Sequence, residues 1–132
     1  VGAVHAGWRG CAAGIVEKTV REMVRLLGAR PGRILAALGP CIGKCCFETD
    51  SDVPEAMRAS ALGAEAEPYL EQRGPKWHVD LAGLNRRWLL RAGVAPDHID
   101  VCGLCTACRP DLFWSHRKMG EARGVQAAVI SL

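Results

Sequence analysis

Apolar positions, with Thr19 among them, recur at Ile15, Val16, Val20, Met23, Val24 and Leu27 with the spacing of one helical face, while Glu17, Lys18, Arg21, Glu22 and Arg25 fall opposite. Gly28 and Pro31 supply a left-handed cap and a stop, so the pattern predicts a helix over 15–27. Upstream, Val1-Gly2-Ala3-Val4-His5 reads as a buried strand that begins without a lead-in, and Gly7-Trp8-Arg9-Gly10 as a glycine-bracketed turn. Ile34 to Leu38 predicts a second buried strand, ended by Gly39-Pro40 and turning into Cys41-Ile42-Gly43.

Further on, Val53 to Leu62 predicts a short helix, and Gly63 to Pro75 a solvated connection with little chemistry. Trp77-His78-Val79 reads as a strand, Asp80 as an N-cap, and Leu81, Leu84, Trp88 and Leu89 as the apolar face of a helix that ends at Gly93. Ile99 to Val101 and Val125 to Ile130 are the last strand candidates, on either side of a cysteine-rich and aromatic segment from Cys102 to Arg117. Alternating strands and helices predict an α/β class and one domain over residues 1–132, with ligands at loops that leave the carboxyl ends of strands.

Composition narrows this picture. The chain is 49% hydrophobic, and no apolar run approaches the roughly 20 residues of a membrane span, so no membrane partner is expected. The net charge of +3 comes from 17 basic and 14 acidic residues that form no basic block, so no nucleic-acid partner is expected. Seven cysteines without a secretory signal read as reduced thiols in a cytoplasmic protein.

Three segments offer chemistry. In His5-Ala6-Gly7-Trp8-Arg9-Gly10, a neutral imidazole suits zinc or copper, and the planar fork of Arg9, ahead of a helix amino terminus, suits phosphate or carboxylate. The same residues also describe a packed histidine beside a surface arginine. Cys102, Cys105 and Cys108 carry two overlapping CxxC spacings, which invite a structural zinc completed by Cys41, Cys45 or Cys46, or else small thiols buried in a tight loop. Phe113-Trp114-Ser115-His116-Arg117-Lys118 combines rings with cations and fits either a planar base beside an anion or core aromatics next to a solvated turn. His78 and His98 carry no specific signal.

Val4-His5-Ala6-Gly7-Trp8-Arg9-Gly10, Leu38-Gly39-Pro40-Cys41-Ile42-Gly43 with Cys46-Phe47-Glu48, Asp80-Leu81 with Asn85, Cys105-Thr106, and Phe113-Trp114-Ser115-His116-Arg117 together resemble the laccase-domain purine nucleoside phosphorylases, formerly called multicopper polyphenol oxidases. The resemblance runs in order along the chain and matches the carboxyl-terminal part of a family member. It implies a four-layer α-β-β-α sandwich with mixed sheets. It also implies phosphorolysis of adenosine, inosine and methylthioadenosine, together with deamination of adenosine, on a purine nucleoside and phosphate. The implied cofactor is zinc, with copper as the alternative, held by two histidines and a cysteine. His5 is the member of that triad carried over here, as metal ligand and catalytic residue; the other two belong to motifs upstream of the chain's first residue, so the isolated chain is expected to be inactive. Arg9 is the further catalytic candidate, and Arg9, Cys41 and Arg117 are the substrate-binding candidates. Lys118 stands where an arginine is common, and Gly120 to Gly124 depart from the family's threonine-glycine-arginine ending. Monomer and homodimer stay open, as do a non-enzymatic cysteine-rich zinc module and an inactive fragment.

Overall fold

A computed structural model describes residues 1–131 of the chain. Its centre is built by helices. α1 (Trp8–Ala12) is short and is followed by Gly14 at φ 68, a left-handed turn that redirects the chain into α2 (Ile15–Leu27). α2 ends as predicted: Gly28 at φ 62 donates to the Val24 carbonyl and Ala29 to that of Met23, which pairs two carbonyls the helix would leave open. α3 (Asp52–Ala59) starts with Pro54 in its first turn, where a missing N–H costs nothing. α4 (Leu81–Arg91) buries Leu81, Leu84, Asn85, Trp88 and Leu89 along one stripe, and Asp80 caps it by accepting from the Gly83 N–H at 2.9 Å.

Two small sheets flank these helices. β1 (Ala36–Leu38) and β5 (Ile99–Val101) pair in parallel, with Ala36 opposite Ile99 and Leu38 opposite Val101. β2 (Glu48–Thr49), β4 (Lys76–Val79) and β3 (Leu70–Arg73) form an antiparallel sheet in the order β2-β4-β3. The fold is therefore mixed α/β with one parallel and one antiparallel sheet, the expected class. Fully buried Trp88, Met57, Leu84, Val79 and Cys11 join α1, α3, α4 and β4 into one core.

Several expected elements come out differently. Residues 1–5 form no strand and are exposed, and 125–130 form none either, with Val125 86% and Val129 90% exposed. A strand exists through its ladder, and no described residue pairs with either segment. The turn at Gly7 to Gly10 is mostly helix α1. The connection from Gly63 to Pro75 is more ordered than a solvated loop: Ala66 is buried, Gly63–Tyr69 winds as a 3-10 helix, and Leu70–Arg73 becomes β3 because β4 supplies its partner. On α2 the apolar face is only half used. Val16 and Val20 are buried, Val24 and Leu27 are exposed, and Glu17 from the polar face is buried instead, paired with Arg21 at 2.7 Å.

Candidate functional site

His5 lies in the extended segment that leads into α1, and Gly7 is the N-cap. A Cβ built at residue 7 would stand 3.1 Å from His5 Nε2, so the glycine spares that nitrogen a close contact. From below, α4 holds the segment in place. Asn85, 5% exposed, donates through Nδ2 to the Leu81 carbonyl at 2.9 Å and to the Ala6 carbonyl at 3.4 Å, while its Oδ1 is buried without a partner among the described residues. Arg9 is an exposed residue of α1, not ahead of it, and its guanidinium lies 4.3 Å from the centre of the Trp8 ring. Stacking fixes the plane of the fork and leaves its edge N–H groups open to an anion.

The loops after β1 and β5 lie side by side because the parallel pairing continues beyond the strands. Cys102 N donates to the Leu38 carbonyl, Thr106 N to that of Cys41 at 2.9 Å, and Cys41 and Cys105 form an isolated parallel bridge. Cys41 is half-buried and its thiol is pushed up, first by burial, then by the negative charge of Asp80 and the neighbouring Cys105 and Cys102 sulfurs. Arg117 opens α5 (His116–Met119) with His116, donates to the Glu48 carbonyl at 2.7 Å and lies 5.7 Å from the Phe47 ring. Trp114 is exposed on one side while Gly124 sits against its indole, close enough that a Cβ there would stand 2.7 Å from the ring.

The same two loops gather four sulfurs. The Sγ atoms of Cys45, Cys46, Cys105 and Cys108 all lie within 4.8 Å of one another and can hold a metal ion. Cys108 Sγ is 3.4 Å from that of Cys46 and 3.7 Å from that of Cys45. Burial pushes the Cys105 thiol up, but N–H groups of Gly43, Cys108 and Ala107 turned onto its sulfur outweigh burial and hold it at about 6; the Gly43 bond is 3.2 Å. Cys46, bonded to Cys108, is pushed up to about 12.

Among the described residues no hydrogen bond or ion pair joins His5, Arg9, Cys41 and Arg117 to one another; Asn85 of α4 reaches the Ala6 carbonyl next to His5, and the charge of its N-cap Asp80 bears on Cys41. His5 belongs to no group of three or more metal-capable side chains among those residues. Sequence spacing pointed at the cysteines without resolving which four converge, and it named Gly7 and Asn85 in motifs without giving either a role. Only a contact across the fold, such as Asn85 to Ala6, reveals their part.

Comparison with known proteins agrees with these motifs. The family model described as multi-copper polyphenol oxidoreductase laccase matches residues 1–132. A purine nucleoside phosphorylase of Deinococcus radiodurans is 44% identical over 132 residues, covering 100% of this chain and 49% of that protein. The purine nucleoside phosphorylase YlmD of Geobacillus stearothermophilus is 38% identical over 130 residues, covering 98% of this chain and 47% of that protein. Its crystal structure superposes with a TM-score of 0.82 and 39% identity over 87% of this chain and 43% of that one. A protein named adenosine deaminase RL5, from an unknown prokaryotic organism, is 37% identical over 120 residues, which is 91% of this chain and 45% of that protein. The chain spans about half the length of the curated relatives it matches. Sequence match and fold together assign it to the multi-copper polyphenol oxidoreductase laccase family, whose relatives here are named as enzymes acting on purine nucleosides.

Proposed function

We propose that this chain is the carboxyl-terminal part of a metal-dependent purine nucleoside phosphorylase that accepts adenosine, inosine and methylthioadenosine and also deaminates adenosine. The observation that carries this reading is the His5–Arg9 segment: an imidazole whose Nε2 is kept clear by a glycine, next to a stacked and open guanidinium, in a chain whose relatives are named for these activities. His5 contributes one metal ligand in the whole protein. The ion, zinc with copper as the alternative, supplies Lewis-acid polarisation when bound.

The other steps belong to side chains of this chain. The fork of Arg9 takes two phosphate oxygens at once and orients the anion towards the sugar carbon it attacks, with bidentate geometry that lysine would not reproduce. Arg117, steadied by the Glu48 carbonyl and the Phe47 ring, adds a second fixed positive charge on the substrate. Cys41, a protonated thiol, acts by packing against substrate and not as a nucleophile. Asn85 keeps the Ala6 carbonyl, and with it the His5 backbone, in register.

The test is replacement of His5 by alanine in the complete polypeptide, with metal content and both activities measured. Loss of the ion bound there together with phosphorolysis and deamination is expected, and retention of either activity overturns the assignment. Gly7→Ala gives a graded version, since its methyl group crowds Nε2; metal affinity should fall about 10- to 100-fold, as for other disturbances of a ligand's surroundings.

A further inference from the structure

Four of the seven cysteines come from two pairs far apart in sequence, Cys45-Cys46 and Cys105 to Cys108, yet their sulfurs share one small volume. A tetrahedral zinc with Zn–S bonds of about 2.3 Å needs sulfurs roughly 3.8 Å apart. The 3.4 and 3.7 Å separations of Cys108 from Cys46 and Cys45 lie close to that edge length, and the 4.8 Å limit leaves only a small contraction for the remaining pairs. The loops are shaped for it. The N–H groups of Cys46 and Phe47 both return to the Gly43 carbonyl at 2.9 Å, a tight turn that sends adjacent side chains towards the same point. Gly43 itself has no room for a side chain: a Cβ there would stand 3.1 Å from Cys105 Cβ and 3.3 Å from Cys45 Sγ. Its N–H, donated to Cys105 Sγ at 3.2 Å, is the kind of bond that orients a thiolate ligand and offsets its charge.

A disulfide between Cys46 and Cys108 would explain one contact. It would leave unexplained why Cys45 closes in from the other side and why backbone donors converge on Cys105, which is outside that pair. Four thiolates around a soft, redox-inert cation account for all of these features. We propose that Cys45, Cys46, Cys105 and Cys108 bind one zinc ion in a tetrahedral four-thiolate site that clamps the loop after β1 to the loop after β5. Binding converts the thiols to thiolates, forms four Zn–S bonds and releases the displaced protons to solvent. Cys45 and Cys108 are exposed, which gives the ion a way in. The site shares no residue with the His5 segment and does not depend on the nucleoside chemistry. Its role is mechanical: it fixes Cys41, which pairs with Cys105, and Phe47, on which Arg117 rests.

The complete polypeptide, reduced and stripped of metal, should take up cobalt(II) with the intense sulfur-to-metal absorption of a tetrahedral thiolate site, and zinc should displace it. With the nucleoside-site metal removed by His5→Ala, that absorption should persist, as it should with Cys102→Ser added, whereas adding Cys105→Ser or Cys108→Ser should abolish it together with one equivalent of bound zinc. Alkylation of the unaltered protein, mapped by mass spectrometry, gives a readout independent of variant folding: zinc should protect Cys45, Cys46, Cys105 and Cys108 and leave Cys102 reactive. Equal alkylation with and without zinc overturns the proposal, as does a Cys46–Cys108 disulfide in the reduced preparation or absorption that survives Cys105→Ser in the His5→Ala background.

Discussion

Cys11 and Cys105 are the same side chain in two regions that hold together by different physics. Cys11 is completely buried in α1 beside Trp88, where it behaves as a small apolar group; burial pushes its thiol up to about 12 against a weaker opposing pull from the Trp88 indole. Cys105 sits where the loops after β1 and β5 meet, with backbone N–H groups and three other sulfurs around it. The helical centre is stabilised by non-directional packing, so a lost side chain is felt as a cavity. The loop junction is joined by the backbone N–H of Gly43 on Cys105 and by the convergence of four sulfurs, so a lost sulfur is felt as a missing ligand.

The largest effect that would sharpen this contrast is Trp88→Ala. It empties the middle of the buried stripe on α4 and should cost about 3–5 kcal/mol in urea unfolding, by the same amount with zinc present or absent. Zinc itself comes next. In the His5→Ala background, raising free zinc to 100 times the junction's dissociation constant should stabilise the protein by about 2.7 kcal/mol, read as a shift in the unfolding midpoint, and should leave the same background with Cys105→Ser unmoved. A zinc-dependent loss in Trp88→Ala, or a zinc response with Cys105→Ser in that background, would merge the two regions and break the comparison.

The two regions also differ in how far the sequence announced them. The periodicity of Leu81, Leu84, Trp88 and Leu89, with Asp80 ahead of it, specified α4 and its cap, because helix, cap and buried face are all local. The strand over Ile99–Val101 and the stop at Gly28 were legible for the same reason. Val1 to His5 and Val125 to Ile130 look like strands yet pair with nothing described, because apolar alternation specifies a willingness to pair and not the partner. Glu17 shows the converse: its place on the polar face could not reveal that Arg21 and Arg91 would neutralise it in the interior. At the candidate site, the roles of His5 and Arg9 come from the family resemblance, since spacing alone also fits a packed histidine beside a surface arginine. The convergence of Cys45-Cys46 with Cys105 and Cys108 depends on the register of β1 against β5, a non-local quantity that no spacing contains.

Asp80 touches both regions, since it caps α4 and its charge bears on Cys41. Asp80→Ala should cost about 1 kcal/mol through the lost cap, while zinc stoichiometry stays unchanged. Asp80→Asn should recover most of that loss, because its amide oxygen can still accept from Gly83. A fall in bound zinc with Asp80→Ala would show that the start of α4 supports the junction as well as the centre.

The smallest effect lies in the alkaline limb and follows from the shielding of Cys11. Its folded value of about 12 stands above the ordinary 9.0, so between those values the unfolded chain releases a proton that the folded chain keeps. The unfolded state then binds fewer protons, and stability falls as pH rises. At about pH 9.5 the loss is under about 1 kcal/mol, and the slope approaches roughly 1.4 kcal/mol per pH unit further up. The informative quantity is the unaltered protein's stability minus that of Cys11→Ala, which isolates this thiol from every other group. That difference should be constant near neutrality, where it reports only packing, and should shrink steadily above 9.0 as the thiolate becomes available to the unfolded chain alone. Parallel curves throughout would mean that Cys11 reaches water, and the centre would then differ from the junction in the number of its sulfurs and not in their environment.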